Sequence, residues 1–176
     1  MVESSANNGG GTGEARPCDI RVRLATLEDT EVLVDFACKL AFDTENKTLD
    51  RDVVRPAVQK CISTPKLGRY FLAWDENDPE KKSIGTTMLT FEYSVAFGGL
   101  IHWIQSVYVN AEARRKGVFR ALYTHVCETA RADPEVKCVR LYVETENVNA
   151  QAVYERLGMA KMDVTEFNEA DYVFSH

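Results

Sequence analysis

"LIHWIQSVYVNAEARRKGVFRALYTHV", residues 100–126, carries the decisive pattern. Residues 100–109 are nearly continuously apolar, as expected of a strand covered on both faces. Arg114, Arg115, Lys116 and Arg120 then crowd around Gly117. Beyond the glycine, Phe119, Leu122, Tyr123, Val126, Cys127 and Ala130 recur at helical spacing. A strand thus runs through a basic turn into a helix. The first N–H groups of a helix have no partner within it, and the helix dipole adds partial positive charge there. Such an entry makes an anion site, with phosphate or pyrophosphate as its natural guest. Gly117 lets a ligand come close to the backbone. The turn is neither a Walker A loop, which needs two glycines and a Lys-Ser/Thr pair, nor a dinucleotide GxGxxG. Taken alone, a solvated basic turn has the same pattern.

The surroundings make the cluster a local exception. The chain of 176 residues has a formal net charge of −6 and a pI near 5.2. That balance argues against a general nucleic-acid binder. With 45% hydrophobic and 27% charged residues, the composition is that of a soluble globular protein. No apolar run approaches the roughly 20 residues of a membrane helix. The five cysteines, Cys18, Cys38, Cys61, Cys127 and Cys138, form no CxxC pair. They read as free thiols in a reducing compartment. His102, His125 and His176 have no metal-ligand spacing, so no metal is expected. Residues 1–18 are Gly-, Ser- and Asn-rich and read as a disordered tail. They lack the apolar core of a secretory signal, and a cytoplasmic protein is expected. Residues 19–176 read as one domain.

The remaining elements follow from periodicity. "IRVRLA" alternates as a strand. Thr26 and Asp29 have capping-box spacing. Val32, Leu33, Phe36, Ala37 and Leu40 share one helix face. A second helix after Thr48 would turn Val53, Val54, Ala57, Val58 and Cys61 inward. "RYFLAW" and "SIGTTMLTFEYS" flank the polar "DENDPEKK" as a hairpin. After the helix that starts at Gly117, Pro134 blocks continuation. "VKCVRLYVE" is a further strand. Asn147 caps a helix that Gly158 ends. Short strands near 159–164 and 171–175 complete the order β-α-α-β-β-β-α-β-α-β-β. The strand-helix-strand unit from about Leu100 to Glu144 is long enough for a right-handed parallel crossover. The expected fold class is α/β, with a mixed central sheet and helices on both faces.

A second signature strengthens the anion-site reading. "ENVNAQAVYERLGM" sets Asn147, Ala150, Tyr154, Glu155 and Gly158 in a fixed frame. It resembles the Asn-x-x-Ala-x-x-x-Tyr-Glu-x-x-Gly signature of the GCN5-related N-acetyltransferase (GNAT) superfamily. Arg114-Arg115-Lys116-Gly117-Val118-Phe119 resembles that family's phosphate loop, Arg/Gln-x-x-Gly-x-Gly/Ala. The element order from Ile20 to Phe174 is similar too. Phe119 departs from the pattern, since a small residue usually closes the loop.

The resemblance implies acetyl transfer from acetyl-CoA to a primary amine in a ternary complex. Backbone groups of Val107, Tyr108 and Val109 would pair with the pantetheine arm, near a bulge in the strand. The N–H groups from Arg115 through Lys116, Gly117, Val118 and Phe119 to Arg120 would take the pyrophosphate. Side chains of Arg114, Arg115 or Lys116 would reach the outer phosphates. Asn147 would cap its helix and touch the pantetheine. Tyr154 sits at the family's acid position, and the Val109 N–H would face the developing oxyanion. Glu92 and Glu144 are the candidate bases. Asp43, Glu45, Trp103 and Gln105 are candidate acceptor contacts. Carboxylates at Asp43, Glu45, Glu92 and Glu144 would favour a small cationic amine or a peptide lysine. The partners expected are acetyl-CoA and the acceptor, with no metal, nucleic acid or membrane, on a monomer or homodimer. A catalytically weak acyl-CoA sensor of the same fold is the alternative.

Overall fold

A computed structural model of the chain describes residues 18–164. Two compact units divide the chain, one ending at Arg140 and the next beginning at Leu141. The elements run β1 (Ile20–Leu24), α1 (Thr30–Glu45), α2 (Arg51–Ser63), β2 (Arg69–Asp75), β3 (Ser83–Ser94), β4 (Gly99–Val109), α3 (Val118–Ala132), β5 (Val136–Leu141) and α4 (Val148–Arg156). The strands form one mixed sheet in the order β1-β2-β3-β4-β5. β1 to β4 pair antiparallel in sequence order.

Helices lie on both faces, and the alternation of each strand decides which residues meet them. Tyr70 and Leu72 of β2 and Thr86 of β3 face α1 and α2. There Leu33, Val34, Phe36 and Val58 form a buried cluster with Leu72 and Tyr108. The opposite face carries Phe71, Leu89 and Ile104 under α3, whose Val118, Leu122 and Val126 are buried. Phe71 meets His125 of α3 edge-on, at 5.1 Å between ring centroids.

Local chemistry sets the helix ends. The Asp29 carboxylate accepts from the Thr26 N–H at 2.8 Å and is gripped by both Arg23 guanidinium nitrogens at 2.7 and 2.8 Å. That pairing holds the Asp29 carboxyl below its usual pKa. Asn46 ends α1 in the left-handed conformation at φ 52°. Asp50 caps α2, accepting from the Asp52 N–H at 2.9 Å.

Three expectations need correction. In α2, Val54, Val58 and Cys61 turn inward, but Val53 is 66% exposed and Ala57 is also exposed. The inward stripe runs 54, 58, 61, 62, and each of Val53 and Ala57 sits one residue, about 100°, off it. β5 ends at Leu141, so Val143 and Glu144 lie beyond the strand. Residues 159–164 form no strand; Met162 and Val164 are 55% and 70% exposed. They have no partner to complete a ladder among the described residues. The strand expected at 171–175 lies outside those residues.

Gly99 starts β4 where β5 begins. A Cβ there would lie 2.5 Å from the Glu135 carbonyl oxygen and 2.5 Å from the Lys137 side chain. The Leu100 N–H donates to that same carbonyl at 2.7 Å, so it has little room to give. Gly99→Ala should therefore cost about 1–3 kcal/mol in chemical denaturation. An unchanged midpoint would mean that the start of β5 is free to move.

Candidate active site

The turn after β4 has the backbone geometry that suits an anion. Ala111–Ala113 makes a single 3-10 turn with Ala113 buried. Arg115 and Gly117 then both adopt left-handed backbone, at φ 67° and 86°. Alternation of this kind turns successive N–H groups into one concavity, which takes anions. Gly117 is the N-cap of the 15-residue α3, with no side-chain cap and no acidic residue in the first turn. The N–H groups that open α3 are unpaired by helix geometry. A left-handed non-glycine residue is strained, and such strain concentrates at functional sites. Arg115 and Lys116 are exposed and have no ion-pair partner among the described residues. Phe119 stacks on Tyr123 one turn further along, 6.0 Å between centroids. Its bulk thus joins the helix surface, leaving the loop backbone open.

Arg114 is committed elsewhere. Its Nε donates to the Val109 carbonyl at 3.1 Å, and a terminal nitrogen donates to Asp43 at 2.8 Å. The guanidinium thereby braces the end of α1 against the end of β4. Asp43, expected among the acceptor contacts, is held in this brace.

β4 contains the bulge that the resemblance implied. Met88 pairs with Ser106, while Leu89 pairs with Ile104, so Gln105 is an extra residue. Gln105 donates to the Thr90 hydroxyl at 2.7 Å. Past the bulge, Ser106 and Tyr108 face α1, and Val109 faces α3 beside Val118. The Asn110 N–H donates to Ile84 of β3 at 2.9 Å. By strand alternation the backbone groups of Val107 and Val109 face the other edge, toward β5.

A cavity of about 360 Å³ lies on the α1 side of β4. Leu33, Phe36, Ala37, Leu40 and Leu49 supply apolar wall. Tyr70, Thr86, Ser106 and Tyr108 supply the sheet side. Burial, with Cys61 nearby, pushes the Tyr70 phenol up to about 12. Glu45 and Lys47 also line the cavity, joined by a 2.5 Å ion pair with both side chains at least half exposed.

Glu92 accepts from the Trp103 indole N–H at 2.7 Å. The two share the α1-side face of the sheet with Gln105. Glu92 lies four residues beyond Met88, the partner of Ser106, or roughly 13 Å along the strand. His102 is on the opposite, α3-side face, against Phe91 at 4.9 Å. It is 2% exposed, and its Nδ1 has no hydrogen-bond partner among the described residues. Burial, aided by Arg69, lowers its pKa and keeps it neutral. His102 therefore faces away from the cavity.

In the second unit, the Asn147 side chain caps α4 by accepting from the Ala150 N–H at 3.1 Å. Tyr154 is half-buried on α4, and burial raises its pKa. Glu144 is exposed before the turn that leads into α4, its carbonyl accepting from the Asn147 N–H at 3.0 Å. Gly158 ends α4 at φ 88°.

Among the described residues no cluster of three or more His, Cys, Asp and Glu could hold a metal, and no helix is long and apolar enough to cross a membrane. The cavity and the Arg114 brace were the features that sequence reasoning missed. The brace joins residues 71 apart and leaves no local trace. The bulge left one, since Gln105 and Ser106 are adjacent polar residues in an otherwise apolar run.

The sequence model of the Acetyltransferase (GNAT) family matches residues 32–159, and the chain belongs to that family. The match extends through both compact units. A possible acetyltransferase from Clostridium difficile 630 is 36% identical, with 89% of this chain and 99% of that one covered and a TM-score of 0.76. A probable acetyltransferase of known structure is 26% identical, with 89% and 99% covered and a TM-score of 0.73. The ribosomal-protein-alanine N-acetyltransferase from Brucella melitensis biovar Abortus 2308 shares the fold at 13% identity, with 86% and 98% covered and a TM-score of 0.67. No curated protein matches the chain.

Proposed function

We propose that this protein transfers the acetyl group of acetyl-CoA to a primary amine by direct attack in a ternary complex. The carrying observation is the loop of left-handed Arg115 and Gly117 at the open N-terminus of α3. Its N–H groups suit a pyrophosphate, and the exposed Arg115 and Lys116 add charge for outer phosphates. Arg114 positions this loop through the Val109 carbonyl and Asp43. The backbone groups of Val107 and Val109, directed at the β5 edge, suit the pantetheine arm. Acetyl-CoA supplies the acetyl group as an activated thioester.

The residues divide the chemistry among them. The amine nitrogen forms the new C–N bond as the C–S bond breaks. The Val109 N–H offers a donor to the negative charge developing on the carbonyl oxygen. Tyr154, kept protonated by its raised pKa, gives its proton to the departing thiolate. Asn147 holds α4 by its cap and contacts the pantetheine. Glu92 accepts the amine proton through water, since it stands too far along β3 from the Ser106 level for direct contact; Glu144 is the second candidate.

A screen of primary amines, read by release of free CoA thiol, tests this function. No release with any amine would overturn it. Glu92→Gln should then lower the rate near neutrality by about 100-fold, with recovery at higher pH as the free amine forms unaided. The pH profile of each single variant, Glu92→Gln and Glu144→Gln, identifies the base. If both retain the wild-type profile, neither residue is the base.

A further inference from the structure

The cavity on the α1 side of β4 carries an inference about the acceptor, and it rests on the amine-acetylation reading above. Its wall is mostly hydrocarbon, from Leu33, Phe36, Leu40 and Leu49. The Thr86 hydroxyl is already spent on the Phe71 carbonyl at 2.8 Å. The volume is about 360 Å³. A dry cavity of about 150 Å³ holds a benzene ring. This one therefore has room for a ring with a short chain, or for a linear alkyl chain.

Charge argues the same way. A polycation needs several carboxylates free to meet it. Asp43 is paired with Arg114 and Glu45 with Lys47, while Glu92, left charged by the neutral Trp103 indole, lies roughly 13 Å along β3 from the Ser106 level. Of the three, only Glu45 lines the cavity. Glu45 is half exposed and already shares its charge with Lys47, so a second ammonium set deeper among the apolar walls would be buried without a carboxylate, which is strongly disfavoured. A single amine gains from the same surroundings, because low polarity favours its neutral, attacking form.

We propose that the acceptor is a primary amine bearing one apolar group, arylalkyl or linear alkyl, and no second charge. The apolar group fills the cavity. The nitrogen lies at Ser106, beside the backbone of Val107. Its lone pair forms the C–N bond, the C–S bond breaks, one N–H proton leaves the nitrogen, and the thiolate takes one up.

Calorimetric titration of the full-length protein with linear amines from ethylamine to decylamine tests the proposal, alongside phenylpropylamine and spermidine. Affinity should rise about fourfold per added methylene until the cavity is full, then stop rising. Spermidine should bind about tenfold more weakly than the best alkylamine, or worse. Ala37→Leu should shorten the best-bound chain by about three methylenes, the carbon it adds. Ala41→Leu, on the same wall, serves if the first variant does not fold. A flat series, a preference for spermidine, or an unshifted optimum in the folded variant overturns the proposal. Thiol release is read separately. Apolar amines that bind but are never acetylated would overturn the transferase reading and leave the cavity's ligand class standing. Acetylation of polyamines beside a flat alkyl series would do the reverse.

Discussion

Tyr154→Phe should slow acetyl transfer by roughly 100- to 10,000-fold, the range that a well-placed general acid supplies. The substitution removes one oxygen and keeps the ring, so the packing of α4 is spared. Burial raises the Tyr154 pKa, and the phenol holds its proton through the neutral range. A coenzyme A thiolate is of similar basicity, which makes the transfer nearly balanced. The loss should fall on kcat, while the thermal shift produced by acetyl-CoA stays close to that of the unaltered protein. Unchanged turnover would assign the hydroxyl to packing.

Acetyl-CoA at 100 times its dissociation constant should stabilise the protein by about 2.7 kcal/mol. For a chain of this length that is a rise of about 5–10 °C in Tm. Gly117→Val should abolish the rise. At φ 86° a β-branched residue is strained, and relief of that strain costs the loop its inward N–H groups. The glycine's surroundings are open, with nothing within 4 Å of an added Cβ, so the unliganded variant should still fold. A variant that folds and keeps the full rise would remove the loop from the cofactor site.

The strength of each sequence reading followed how local its cause was. The β4-turn-α3 unit was legible because its apolar period, its glycine and its bases all lie within one stretch. The Asp29 and Asn147 caps were legible for the same reason, each acting over three residues. The inward face of α2 was not. Val53, Val54, Ala57, Val58, Cys61 and Ile62 fit two overlapping stripes, and only the sheet beneath selects the one through Val54, Val58 and Ile62. The candidate acceptor contacts were readable as residue types but not as partners. Asp43 and Glu45 look alike in "FDTEN", yet one meets an arginine 71 residues away and the other a lysine two residues away. Glu144 was placed on a strand by the apolar run before it, which continues past the point where pairing ends.

Gln105 shows how much one residue can decide. Before it, odd-numbered residues of β4 lie on the α1 side of the sheet; after it, even-numbered ones do. Deleting it while the hairpin register held would leave every later side chain where it is. Ser106 would follow Ile104 directly on the α1 side, and Val107, Tyr108 and Val109 would keep their partners on β3 and their faces. What would go is the local bend and extra twist that a bulge gives its strand. Closing the bulge with Gln105 still present does the opposite: each later residue moves one place along β3, Val107 and Val109 turn to the cavity, and Ser106 and Tyr108 turn to α3. The extra residue thus works as a phase setter, and a three-base deletion that keeps the reading frame would straighten the strand without changing which side is which.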